Sequence, residues 1–204
     1  ALSSAASDVY KRQKKWSYTA VILVYGTTTI TGGEFIQKTT NTSSYAKVVM
    51  TGKVDGYEAA TKVTGGKFVN EKLSGIFWAL GKATSDNFEV SGGTFNKSVP
   101  SSYFADGLTC AKNSDGTYGI ATAIAQVDST RYTSLQAAIT AVKKAGKTVQ
   151  LLNDTTENIT IAANKQITLD LNGHILNGGT GTAKATILNK GTVTITDTSA
   201  GKTG

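Results

Sequence analysis

Proline and cysteine are almost missing from this chain, with one of each, Pro100 and Cys110, in 204 residues. Proline cannot donate to a strand ladder, so its scarcity suits a chain made mostly of paired strands. The lone Cys110 excludes an internal disulfide and a multi-cysteine zinc site, and reads as a small apolar strand residue. Charge is also thin. Charged residues make up 17 % of the chain and apolar ones 39 %, both lean for a globular protein. The +7 formal charge comes largely from single, scattered lysines, with one tight basic run at Lys11, Arg12, Lys14 and Lys15. No groove-reading motif or aromatic stacking platform accompanies them, so nucleic acid is not an expected partner. The longest apolar run, residues 20–25, is strand length and too short to cross a membrane, so no membrane insertion is expected.

What fills the chain instead is threonine, serine, asparagine and glycine, the profile of short strands with polar outer faces and frequent turns. One pattern recurs three times: Ile30-Thr31-Gly32-Gly33-Glu34-Phe35, Val63-Thr64-Gly65-Gly66-Lys67-Phe68 and Val90-Ser91-Gly92-Gly93-Thr94-Phe95. The copies are 33 and 27 residues apart. Self-similarity at this period marks a repeat architecture whose units bury their apolar faces only by stacking. The unequal step points to a β-solenoid, which lengthens at loops while its strands stay in register. Inward positions would be Val21, Leu23, Ile30, Val48, Met50, Val63 and Val90, with Phe35, Phe68 and Phe95 stacked from coil to coil. The glycine pairs would give positive φ and close approach of neighbouring coils.

Past residue 105 the pattern changes. Lys112-Asn113-Ser114-Asp115-Gly116-Thr117-Tyr118 carries the strongest hairpin signal in the chain, an Asp-Gly pair between strand-like segments. A linker is expected over 121–130. Residues 133–145 then carry Leu135, Ala138, Ile139 and Val142 on one face at helical spacing, with Thr133 or Ser134 as cap and Gly146 at the end. Short strands rich in Ile, Leu, Val and Thr follow.

Tyr132-Thr133-Ser134-Leu135-Gln136-Ala137-Ala138-Ile139, Lys147-Thr148-Val149-Gln150-Leu151-Leu152 and Ile167-Thr168-Leu169-Asp170-Leu171-Asn172-Gly173-His174 resemble the opening of a right-handed parallel β-helix module of the pectate-lyase-like class. Ser91-Gly92-Gly93-Thr94-Phe95 through Tyr103-Phe104-Ala105-Asp106-Gly107 and the 112–118 segment are similar to the closing part of such modules in large bacterial cell-surface proteins. The resemblance covers residues 17–204. It implies an all-β chain of two partial modules, with one short helix capping the open end of the second. The expected division is a non-native or disordered terminus over 1–15, the last coils of a first module over 16–105, a hairpin and linker over 106–130, and the helix-capped start of a second module over 131–204. Ala1 to Gln13 resembles translated adapter sequence. The chain reads as an internal fragment of a longer secreted or wall-attached protein, with export signal and anchor outside it.

Pectate-lyase-like enzymes cut acidic polysaccharides with clustered carboxylates. The carboxylates to weigh are Asp154, Glu157, Asp170 and Asp197, and of these Asp154, Asp170 and Asp197 remain the weak catalytic candidates. Asp170 alternates with apolar neighbours and is expected on the exposed outer face, and Asp197 reads as a turn former. His174 follows Asn172-Gly173 on a turn, with no nucleophile motif or second metal ligand nearby. The calcium-binding Gly-Gly-x-Gly-x-Asp repeat is absent, so the glycine pairs read as corners. Asn172, Asn177 and Asn189 are expected as amide ladders. No catalytic, cofactor or metal site is therefore assigned. The leading expectation is a non-catalytic structural or adhesive surface module whose sheet face meets a glycan or a surface or matrix protein. The alternatives are a polysaccharide lyase or glycoside hydrolase fragment and a tail-spike-like trimer.

Overall fold

The computed structural model describes residues 19–38, 45–56, 58–72, 75–181 and 185–204. The adapter-like terminus and the basic run at Lys11, Arg12, Lys14 and Lys15 lie outside them. The described residues are mostly β, with a single α-helix. Two compact units emerge. The first runs up to Val99 and adds Tyr103–Ala105 and Lys112–Ile120, and the second holds Pro100–Ser102, Asp106–Ala111 and Ala121–Gly204.

The first unit is three successive strand triplets: β1 (Thr19–Val24), β2 (Thr27–Ile30), β3 (Glu34–Gln37); β4 (Ala46–Lys53), β5 (Ala60–Val63), β6 (Lys67–Asn70); and β7 (Phe77–Gly81), β8 (Phe88–Val90), β9 (Thr94–Phe95). Corresponding strands pair in parallel, giving sheets β1-β4-β7, β2-β5-β8 and β3-β6-β9. The recurrent motif is therefore in register with itself, Ile30 opposite Val63 and Val63 opposite Val90. The phenylalanines stack as expected. Phe35 lies 5.3 Å from Phe68 at 22°, and Phe68 lies 5.6 Å from Phe95 at 24°. Such pairs add about 0.5–1.5 kcal/mol each beyond the area they bury. Phe77, Phe88, Tyr103 and Phe104 continue the aromatic cluster.

The two glycines of each corner do different jobs. The second, Gly33, Gly66 and Gly93, has φ of 100°, 110° and 113°. In the second and third copies the first must be small: a Cβ on Gly65 would sit 2.4 Å from Thr31 O, and one on Gly92 2.0 Å from Thr64 O. Just beyond the stacked rings runs a polar rung that the sequence reading missed. Asn70 N donates to Asn96 Oδ1, Asn96 Nδ2 donates to Asn70 O, and Asn70 Nδ2 reaches Ala46 O and Gly75 O. Gln37 Nε2 serves Lys47 O and Thr19 O in the same way. These amides hydrogen-bond backbone carbonyls at strand ends and at Gly75.

The face assignment of the first sheet needs correction. Val21 is 42 % exposed, whereas Val24 is buried. The apolar run has no alternation, so its inward parity was undetermined, and the wrong choice flips every side chain. Leu23 and Met50 pair in register, and Met50 pairs with Trp78. Trp78 neighbours Phe77, whose ring meets Phe68 and Phe95 in the core, so the Leu23–Met50–Trp78 row points away from those rings, yet Met50 is fully buried as expected. Lys47 Nζ lies 5.1 Å above the Trp78 ring, and burial pushes its ammonium pKa down. Val48 remains buried because the amides of Val48 and Val49 both donate to Ile76 O at 3.0 Å, the two-against-one pairing of a bulge. The expected turn at 113–117 is present, with Asn113 N donating to Thr117 O. Beyond it β11 (Tyr118–Thr122), which follows β10 (Leu108–Lys112), runs antiparallel to β9.

In the second unit the expected linker contains β12 (Ala125–Val127), which leads to β13 (Thr130–Tyr132). Helix α1 (Leu135–Ala141), β14 (Lys147–Leu151), β15 (Thr155–Thr156), β16 (Ile159–Ile161), β17 (Gln166–Asp170), β18 (Leu176–Asn177), β19 (Ile187–Asn189) and β20 (Thr192–Thr196) follow. Parallel sheets form from β14-β17-β20, β15-β18 and β16-β19, while β12 pairs antiparallel with both β13 and β14. Not every neighbour therefore runs in one sense. The core is aliphatic, built from Val149, Leu151, Ile159, Ile161, Ile167 and Leu169. Onto it α1 packs Leu135, Ala138, Ile139 and, past its end, Val142, the face expected from spacing. The helix is shorter than 133–145, because Val142 turns to ψ 116° and enters the core.

Candidate functional site

Helix α1 is fastened at both ends and in the middle. Ser134 accepts from Ala137 N. Glu157 accepts from Leu135 N at 2.8 Å and Gln136 N at 3.1 Å, placing a carboxylate on the amides that a helix start leaves unpaired. Gln136 pairs both ways with the Thr160 backbone, and Lys165 Nζ donates to the carbonyls of Thr140 and Val142. Glu157, weighed above as a carboxylate for catalysis, is thus a helix cap.

The three candidate aspartates also close turns, and the structure brings all three to the turn at residues 172–175. Asp170 accepts from Asn172 N, and Asp197 accepts from Gly173 N. Asp197 also takes Ser199 N and Gly204 N. Ser199, with the amides of Gly204 and Gly173, holds its carboxyl down to about 2. Asp154 meets the end of the same turn, accepting from Ile175 N at 3.0 Å and facing His174 Nδ1 at 3.3 Å. His174 itself sits in the turn as expected, its amide donating to Leu171 O. The asparagine ladder expected of Asn172, Asn177 and Asn189 does not form. Asn172 Nδ2 reaches Leu151 O and Asn189 Oδ1 takes Gly191 N.

Asp170 corrects the sequence reading. It does lie in the outward row, in register with Gln150 and Thr196, yet it is only 2 % exposed. Thr198 covers it, donating from its amide at 3.0 Å and its hydroxyl at 2.7 Å, and Gln150 Nε2 donates from the side at 3.0 Å. Burial raises its pKa, but the donors from Thr198, Gln150 and Asn172 outweigh that and hold the carboxyl below its ordinary value.

The row continues across the sheet. Gln126 is opposite Gln150, and Gln126 Nε2 donates to Gln150 Oε1 at 2.8 Å. These two glutamines, with Asp128, Gly146, Lys147 and Thr148, line an open polar groove of about 390 Å³. At its rim Lys147 Nζ lies 2.9 Å from Asp128 Oδ1, so the groove's two charges neutralise each other. Sequence reasoning did not single out these residues. The signal available was alternation in Ala125-Gln126-Val127 and Val149-Gln150-Leu151, which puts both amides on the outer face. What it lacked was the register that aligns them.

The groove can offer hydrogen-bond donors and acceptors in fixed positions, with no unpaired charge and no aromatic side chain in its lining. Comparison with family models, curated proteins and solved structures found no match to this chain. Among the described residues no helix is long and apolar enough to cross a membrane.

Proposed function

We propose that the chain comprises parts of two right-handed parallel β-helix modules of the pectate-lyase-like class, from a bacterial cell-surface or secreted protein, and that its role is structural and adhesive. The parallel registers of successive strand triplets and the coil-to-coil phenylalanine stack support the winding. One observation carries the functional half: Asp154, Glu157, Asp170 and Asp197 each accept at least one main-chain amide. Carboxylates committed to turns and a helix start serve rigidity. A lyase or hydrolase needs them free to meet calcium, water or a glycosidic oxygen. What remains for contact is the outer surface of the sheets, threaded with Thr, Gln, Asn and Lys.

The test is a glycan and matrix-protein binding screen on the chain, run beside an assay for unsaturated product from acidic polysaccharides. Saturable binding without product formation is the expected result. Turnover of polygalacturonate or a related uronan would overturn the adhesive reading in favour of the lyase.

A further inference from the structure

We infer that the groove beside Gln126 is a binding site for a neutral oligosaccharide, with the Gln126 amide as its specificity-setting contact. This rests on the glycan-binding reading above and names its place and its ligand class.

Asp170 fixes the direction of the row. An ionised carboxylate only accepts hydrogen bonds, so the Gln150 group facing it must be the NH₂. Gln150 therefore turns its carbonyl toward Gln126, and Gln126 must answer with its own NH₂. The chain Gln126 to Gln150 to Asp170, with links of 2.8 Å and 3.0 Å, has one direction only. It does not depend on how amide oxygen and nitrogen are told apart, since the buried carboxylate decides it. At the free end, Gln126 Oε1 and the second N–H of its amide meet no hydrogen-bond partner among the described residues. A fixed acceptor next to a fixed donor is the pattern that two neighbouring sugar hydroxyls match, because each hydroxyl both donates and accepts.

The charge of the groove selects among sugars. Lys147 is already engaged by Asp128 through both carboxylate oxygens, at 2.9 Å and 3.0 Å. A uronate would have to displace Asp128 to reach the ammonium and would meet that aspartate's charge while doing so. A neutral sugar meets no such opposition. Pre-orientation lowers the ordering cost of binding, and with no aromatic ring to stack on, affinity is set by hydrogen bonds and is weak.

The experiment titrates the whole chain with cellotetraose, xylotetraose, mannotetraose and tetragalacturonate, following ¹H–¹⁵N shifts and heat. At least one neutral tetrasaccharide is expected to shift Gln126, Lys147 and Gln150, and Gln126→Ala to weaken it about tenfold. Asp170→Asn presents an NH₂ to Gln150 and turns both amides round, so it should lower affinity severalfold and change the preferred sugar. If Asp170→Asn unfolds, Gln150→Leu, which cuts the chain at a half-buried site, reads the same effect. Shifts unaltered by Gln126→Ala, or a preference for tetragalacturonate, would overturn the inference. Glycan binding that maps to the first unit sinks this site and leaves the adhesive reading standing. No binding by any glycan or matrix protein in the screen sinks both.

Discussion

Gly65 and Gly92 in the first unit and Asp170 and Asp197 in the second solve one problem by opposite means. Wherever a strand ends and the chain bends, backbone amides and carbonyls of neighbouring segments crowd together and need partners. In the first unit side chains are removed, so that the backbone of one segment rests against the backbone of the next. In the second, charged side chains are brought in to accept the amides. The cores differ in step. Stacked rings fill the first unit and aliphatic side chains fill the second. A glycine corner seated on the preceding segment, as at Gly65 and Gly92, is sensitive to an added methyl and indifferent to pH. A carboxylate corner tolerates bulk and depends on its charge.

The comparison can be broken at its strongest point first. Phe68→Ala removes the middle ring of the stack, a fully buried side chain, and should cost about 3–5 kcal/mol in urea denaturation. Next, Gly92→Ala forces a methyl against Thr64 O and should cost about 2–3 kcal/mol. Gly32→Ala, at the same place in the first copy, meets nothing within 4 Å and should stay within about 0.5 kcal/mol. Equal effects at the two glycines would show that the corner conformation, and not the close approach, makes glycine necessary. In the second unit Glu157→Ala unpairs the amides of Leu135 and Gln136 and should cost about 1–2 kcal/mol, with faster hydrogen exchange at those two amides.

The smallest effect is expected on acid titration. Asp170 and Asp197 have folded-state pKa values below the ordinary carboxylate value of 3.8, Asp197 at about 2. Their stabilisation is present above the unfolded value and is lost as pH falls through the folded one. Between pH 4 and 2, exchange protection in β14 and β17 should fall more than in β5 and β6. Asp197→Asn should flatten that loss. Equal loss in both units would mean that carboxylate corners are not what sets the acid limit.

Much of the first unit was legible because its motif is dense: a β-branched residue, two glycines and a phenylalanine leave few arrangements in which all copies are buried. The helix face was legible for the same reason, Leu135, Ala138, Ile139 and Val142 having only one period that fits. Legibility failed where a local pattern is degenerate or a distant segment decides. The run TAVILV reads alike on both faces, so nothing within it tells that Val21 faces outward. Asp170 was correctly put on the outer row, but Thr198, 28 residues later, covers it. The glutamine row escaped notice because it exists only after β12, β14 and β17 are aligned.

The spacing inside the triplets of the first unit carries a consequence for how such a chain can lengthen. The turn from β5 to β6 and the turn from β8 to β9 each hold three residues, 64–66 and 91–93. The difference between the 33-residue and 27-residue steps falls entirely before the glycine corner. The invariant part of the period is thus a short template that keeps ring on ring, and the remainder is free sequence. Duplicating the 27 residues from 66 to 92 should add one further layer, about 4.8 Å tall, without any new kind of contact. Insertion of half that length would put every downstream phenylalanine off the column at once. Whole-period gain or loss is the change in size this architecture accepts at little cost.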